Sequence, residues 1–215
     1  YKYGLKLHPT DREWFRPGMM VAFFRCRGLR LEDVSLVNTT AWTCHIRCCD
    51  GVDIRRVKVD ADVTIANSDG FSIDCTRNVN VEKCVLRTGD DGFAIRASCA
   101  KHVATNLCEN IVIRECDISS CCYGIRFGIG TGTIRNVRVL DTRIHEASQA
   151  GIGFTPAWVD SARNCYIEDI LLKNCTISDC VQPVDVNMGG GDSRVVGIRF
   201  EDCTFNTLLP SNLRG

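Results

Sequence analysis

The 215-residue chain carries no net charge, because 26 basic and 26 acidic side chains cancel and no Lys/Arg tract breaks the balance. It lacks the field that phosphate binding requires, which excludes a general nucleic-acid binder. No apolar run reaches the roughly 18 residues of a membrane-spanning helix, so no membrane partner is expected. The first residue is Tyr1, not Met, so the lack of a leader carries no information about export. Two vicinal cysteine pairs, Cys48-Cys49 and Cys121-Cys122, lack the two-residue gap of a zinc knuckle or a thioredoxin motif, so neither is read as a metal or redox site. Cysteine itself is abundant: 15 residues, an odd number, leave at least one thiol unpaired, in a chain too long to need a disulfide scaffold. The length suits one domain, residues 1–215.

A repeat accounts for the chain better than its composition does. Apolar residues recur at relative positions 0, 2, 5 and 7 in seven copies, which begin at Leu29, Val52, Val79, Ile111, Val137, Ile170 and Ile198. Successive copies start 23, 27, 32, 26, 33 and 28 residues apart. The alternation inside each copy has the period of a strand. It is broken at positions 3 and 4 by a pair that is usually charged, such as Glu32-Asp33, Arg55-Arg56 and Glu82-Lys83, which suits an exposed corner between two short strands. A third alternating stretch follows in most copies, as in Phe71 and Ile73 or Phe93 and Ile95. Leucine-rich repeats need a fixed consensus and helical solenoids a 3.6-residue period, and an antiparallel sandwich does not give recurring columns at variable spacing. The expected fold is all-β: a right-handed parallel β-helix of about seven or eight coils, three short strands per coil, with residues 1–15 before it, coils over 16–205 and a tail over 206–215.

Stacking the coils at the interstrand spacing of about 4.8 Å turns the repeat into columns. Position 5 reads Val34, Val57, Cys84, Cys116, Thr142, Cys175 and Cys203, an inward ladder in which cysteine serves as a small hydrophobe. The column before the third strand reads Met19, Trp42, Asp69, Asp91, Tyr123, Ala150 and Gln182. The next reads Met20, Thr43, Gly70, Gly92, Gly124, Gly151 and Pro183, where glycine answers either a positive φ or a lack of side-chain space. Asp69 and Asp91 therefore sit on adjacent coils with Asp90 beside them. A lone Asp-Gly is ordinary turn chemistry. Three converging carboxyls cannot all ionise comfortably, so at least one pKa rises, and an acid beside a base is what glycoside hydrolysis uses.

The stretch Asn67-Ser68-Asp69-Gly70, followed by Thr88-Gly89-Asp90-Asp91-Gly92-Phe93-Ala94-Ile95, resembles the paired acidic motifs of glycoside hydrolase family 28, the polygalacturonases and rhamnogalacturonases. Arg16-Pro17 and Trp42 are similar to that family's pattern as well, and the resemblance spans residues 16 to 205. It implies an inverting hydrolase of pectin-type polysaccharide or oligosaccharide, with Asp90 as general acid and Asp69 and Asp91 as the bases that activate water. No cofactor and no metal are implied.

Two departures bear on substrate. Where the family carries Gly-His-Gly, this chain has Cys122-Tyr123-Gly124, and its Arg-Ile-Lys positions hold Gly153, Phe154 and Thr155. Arg126, one rung below Gly153, is the expected substitute for the lost cations, since a guanidinium holds a carboxylate by two parallel bonds; an exposed, solubilising Arg is the other reading. Arg96 is expected to bind sugar or tune Asp90. Tyr123, Asp74, His45 and Asn67 complete the expected binding face, and a neutral sugar such as rhamnose suits the missing cations. A glycan-binding β-helix without turnover, or a lyase or epimerase on the same scaffold, are the alternatives. Residues 1–15 are too short for the family's N-terminal cap, which implies a fragment. The resemblance implies export, whereas the unpaired thiols favour a reducing compartment. Oligomeric state is not encoded.

Overall fold

A computed structural model describes residues 18–98, 106–156, 164–188 and 191–214, so the expectations for residues 1–15 and for Arg16-Pro17 lie outside the described residues. The chain winds into three sheets of eight, seven and seven strands, all pairings parallel, each strand bonded to its counterpart one coil away. This is the parallel β-helix that the repeat predicts. The first sheet carries the acidic motifs and stacks Val21–Phe24, Cys44–Arg47, Phe71–Asp74, Phe93–Ala97, Tyr123–Gly130, Ala150–Thr155, Val184–Asn187 and Asn212–Arg214 in chain order.

The core is made of the alternate side chains. Facing inward from the first sheet, Phe71 stacks on Phe93 with ring centroids 5.5 Å apart, and Phe127 on Phe154 at 5.2 Å. Such pairs add about 0.5–1.5 kcal/mol each beyond their buried area. Position 5 points inward as expected, with Cys84, Cys116, Thr142 and Cys175 all buried. In this column each thiol donates to the carbonyl two residues earlier, Cys84 to Glu82, Cys116 to Arg114, Cys175 to Lys173 and Cys203 to Glu201, at 3.2 to 3.4 Å. Thr142 takes the same bond to Leu140 at 2.8 Å, which explains why Thr and Cys alternate there.

The corner between the second and third sheets is the charged pair, and its geometry is not legible in Arg56, Lys83 or Glu115. Every position-4 residue, Asp33, Arg56, Lys83, Glu115, Asp141, Asn174 and Asp202, holds a φ between 49° and 57°. A second left-handed column, Gly28, Gly51, Asn78, Asn110, Asn136, Asp169 and Gly197, stands five residues earlier in each coil. Its asparagines bond rung to rung: Asn136 donates to Asn110 at 2.7 Å and Asn110 to Asn78 at 3.0 Å. The glycine column before the third strands answers a different need. Gly70, Gly92, Gly124 and Gly151 do not have positive φ; a Cβ on Gly92 would lie 2.5 Å from Ile118 Cγ2 and 2.6 Å from the Gly124 carbonyl. Side-chain volume, not backbone sign, selects glycine there.

Candidate active site

Backbone bonds fix the column that holds the acids. Thr43 N donates to the Asp69 carbonyl at 2.9 Å, Gly70 N to that of Asp91 at 2.9 Å, and Gly92 N to that of Tyr123 at 2.9 Å. Trp42, Asp69, Asp91 and Tyr123 are thus consecutive rungs.

Two of the three carboxyls lie inside the wall, each with its own arginine. Arg96 Nη2 donates to Asp69 Oδ2 at 2.9 Å, and Ser72 Oγ adds a bond at 3.3 Å. Arg126 Nη1 lies 3.5 Å from Asp91 Oδ2. Asp69 and Asp91 are only 2% and 1% exposed. Burial outweighs the arginines: it pushes the Asp69 carboxyl up to about 7, helped by the charges of Asp91 and Asp90, and raises Asp91 in the same way. Asp90 is different. It is partly exposed, accepts the Asn67 backbone N–H at 2.9 Å, and accepts its neighbour Asp91 N–H at 3.0 Å.

The arginines lie over aromatic rings. The Arg96 guanidinium sits 4.3 Å from the Trp42 ring centre and that of Arg126 5.1 Å from Tyr123. Arg96 therefore contacts Asp69, whereas Asp90, which the sequence offered it as an alternative to a sugar, is bonded by Asn67. Arg126 is buried rather than a solubilising surface group, and its Nε donates to Thr155 Oγ1 at 2.8 Å, at the family's lysine position.

Asp74 and His45 lie on the same outward face, Asp74 bonded into the scaffold and His45 Nε2 buried with no hydrogen-bond partner among the described residues. Asp74 accepts Ser98 N at 2.8 Å and Ser98 Oγ at 2.5 Å, with Arg47 at 3.7 Å and His45 at 4.0 Å. Burial pushes His45 below its ordinary value, which leaves it neutral, edge-on to Trp42 at 5.1 Å. Asn67 stands with a φ of 57° and orients Asp90 through its backbone and its side chain. A recess of about 290 Å³, lined by Gly18, Met19, Ala41, Trp42 and Asn67, opens beside this residue. A larger one of about 480 Å³, lined by Arg30, Asp53 and Asn80 among others, lies on the second sheet away from the acidic cluster.

Sequence reasoning missed Asp185. Its Oδ2 accepts the Tyr123 hydroxyl at 2.7 Å and its Oδ1 accepts Asn212 Nδ2 at 2.6 Å. Reading the outward column Arg126, Gly153, Asp185 from the same alignment would have found it. Cys122, set aside in the sequence as half of a vicinal pair, lies beside the acids. Asp90, Asp91 and Cys122 place three ligand-type atoms within 4.8 Å of one another, but burial and both carboxylates push the thiol up, and it donates to Asp91. The thiolate that a metal would need is disfavoured there.

Comparison with known proteins agrees with this fold. The grape (Vitis vinifera) protein described as a probable polygalacturonase is 23% identical over 177 residues, covering 80% of this chain and 35% of its own length. The exopolygalacturonase of Thermotoga maritima superposes with a TM-score of 0.70 at 19% identity, over 94% of this chain and 53% of that one. Endopolygalacturonase I of Stereum purpureum gives 0.51 at 16% identity, over 86% and 70%. The chain thus spans about a third of the grape relative and half of the Thermotoga chain. With residues 15–208 matching the model of glycosyl hydrolases family 28, the chain belongs to that family.

Proposed function

We propose that the chain hydrolyses O-glycosidic bonds of a pectin-type polysaccharide or oligosaccharide with inversion of configuration. The observation that carries this reading is the division of labour among three neighbouring carboxyls. Asp90 is the one that reaches solvent, bonded to Asn67, which lines the recess beside Trp42, and it is the proton donor to the leaving oxygen. Asp69 and Asp91, behind it, draw the proton from the attacking water. A pKa of about 7 for Asp69 makes it basic enough to take that proton and weak enough to release it near neutrality. Arg96 and Arg126 hold the two bases in place and disfavour their protonation, against the burial that favours it. Inversion asks that the acid and base carboxyls stand about 6.5–9.5 Å apart, with the water between them.

A glycan-binding β-helix without turnover is favoured by one observation, the near-complete burial of Asp69 and Asp91 beneath the two arginine–aromatic pairs. Incubation with a pectin panel separates the readings. Hydrolysis gives new reducing ends with no ultraviolet-absorbing product, and Asp90→Asn abolishes them while the melting temperature holds. Binding without new reducing ends supports the silent reading.

A further inference from the structure

Beyond the acidic cluster, the outward face carries a carboxylate that the reaction above leaves unused. Asp185 is 7% exposed and stands in register with Gly153, which stands in register with Arg126. Its two hydrogen-bond donors, the Tyr123 hydroxyl and Asn212 Nδ2, are neutral, and among the described residues no cation pairs with it. Tyr123 ties it to the reaction centre. The Tyr123 backbone N–H donates to Asp91 Oδ1 at 3.3 Å, while its hydroxyl reaches Asp185 at 2.7 Å.

The same tyrosine closes off the position between them. A Cβ on Gly153 would lie 2.5 Å from Tyr123 Cδ1 and 2.7 Å from Cε1, so no longer side chain fits there while the ring is in place. Arg126 is engaged by Asp91 at 3.5 Å and by Thr155 at 2.8 Å. What this part of the face offers a sugar is a phenol hydroxyl and a carboxylate with spare lone pairs.

We infer that Asp185, held by Tyr123 and Asn212, is a specificity-determining residue that admits an uncharged sugar unit next to the acidic cluster and rejects a uronate. Sugar hydroxyls donate to a carboxylate in a charge-assisted bond. A uronate carboxylate would be desolvated against a like charge instead, and rejection by repulsion is an ordinary route to specificity. The inference rests on the glycosidase reading of this face, and it adds which sugar class the face takes.

Calorimetric binding of two probes tests it without requiring turnover: an oligogalacturonide and an oligosaccharide of similar length ending in rhamnose. The wild-type chain is expected to prefer the rhamnose-ended probe by about tenfold or more. Asp185→Asn should raise affinity for the oligogalacturonide by about tenfold, and the preference should weaken with added salt. The Tyr123 hydroxyl is able to accept as well as donate, so the amide keeps a partner. Asp185→Ser provides a second carboxylate-free variant if the first melts early, and Tyr123→Phe, which keeps the carboxylate, should keep the preference. Equal or tighter binding of the oligogalacturonide by the wild type, an unchanged ratio in both carboxylate-free variants, or binding of neither probe overturns the inference. Preference for the rhamnose-ended probe with no hydrolysis of either supports the inference and contradicts the hydrolase reading alone.

Discussion

Asp69 shows how far a single side chain was legible and where that stopped. Its place in a column with Asp91 follows from the repeat, and so does the crowding that raises a pKa. Its partner does not: Arg96 is outward on the strand one coil later, and only the register Asp74 to Arg96 brings the guanidinium across to Asp69. Asp185 and the Tyr123–Gly153 fit were hidden for the same reason, since they depend on how far a side chain reaches across rungs. The raised pKa has a signed consequence. The folded chain binds the Asp69 proton more tightly than the unfolded chain, whose carboxyl titrates near 3.9, so stability falls as pH rises from about 4 to about 7. Thermal melting should show a lower midpoint at about pH 8 than at about pH 5, and Asp69→Asn should flatten that slope. As a base Asp69 must be ionised while Asp90, as the acid, must keep its proton, so kcat/KM should follow a bell whose rising limb reports Asp69 and moves to lower pH when that carboxyl is less buried.

At the scale of the strand and its corner, the period-two alternation and the columns were readable because they set which residues face inward. The corners were not. Aspartate and asparagine, which tolerate a left-handed φ, fill four of the seven position-4 sites, but Arg56, Lys83 and Glu115 announce nothing of the kind, yet all seven adopt it. The site is exposed and its side chain points to solvent, so residue type is nearly free while the φ is not. A β-branched residue should fail here: Lys83→Val should unfold at lower urea than Lys83→Gly by about 1–2 kcal/mol, because only the first meets the left-handed steric penalty. The loss of the exposed Lys83–Glu115 pair, at 3.6 Å, is common to both variants. The glycine column gives the opposite test. Gly124→Ala would drive a methyl against Ile144 Cγ2 and the Gly151 carbonyl without any φ strain, and should cost about 1–3 kcal/mol in urea unfolding. A loss below a few tenths of a kcal/mol would contradict the packing account.

Across the whole molecule, zero net charge proves to be a pattern rather than an average. One outward column of the second sheet runs Arg27, Asp50, Arg77, Glu109, Arg135 and Glu168, alternating in sign from rung to rung. Arg77 meets Asp50 at 2.8 Å and Arg135 meets Glu109 at 2.9 Å. A second column, Glu32, Arg55, Glu82 and Arg114, repeats the device. Like charges on directly adjacent rungs repel, so the alternation stabilises each coil in its place in the stack. Glu109→Lys would set three cations in a row and should lower stability by about 1 kcal/mol, with part of the loss recovered in high salt. The Arg96–Asp69 and Arg126–Asp91 pairs of the acidic face are thus only part of how the charges cancel. The cysteine count resolves similarly: the fourteen described cysteines are free thiols, and most of them are buried packing.

The central claim is that Asp69, Asp90 and Asp91 form a hydrolytic centre. The most direct measurement follows the anomeric configuration of newly formed reducing ends by proton NMR as the wild-type chain acts on pectin oligosaccharides. The account predicts products that first appear with configuration opposite to that of the bond cleaved, and none at all from Asp90→Asn. Products of retained configuration, unsaturated products, or undiminished turnover by Asp90→Asn would contradict it.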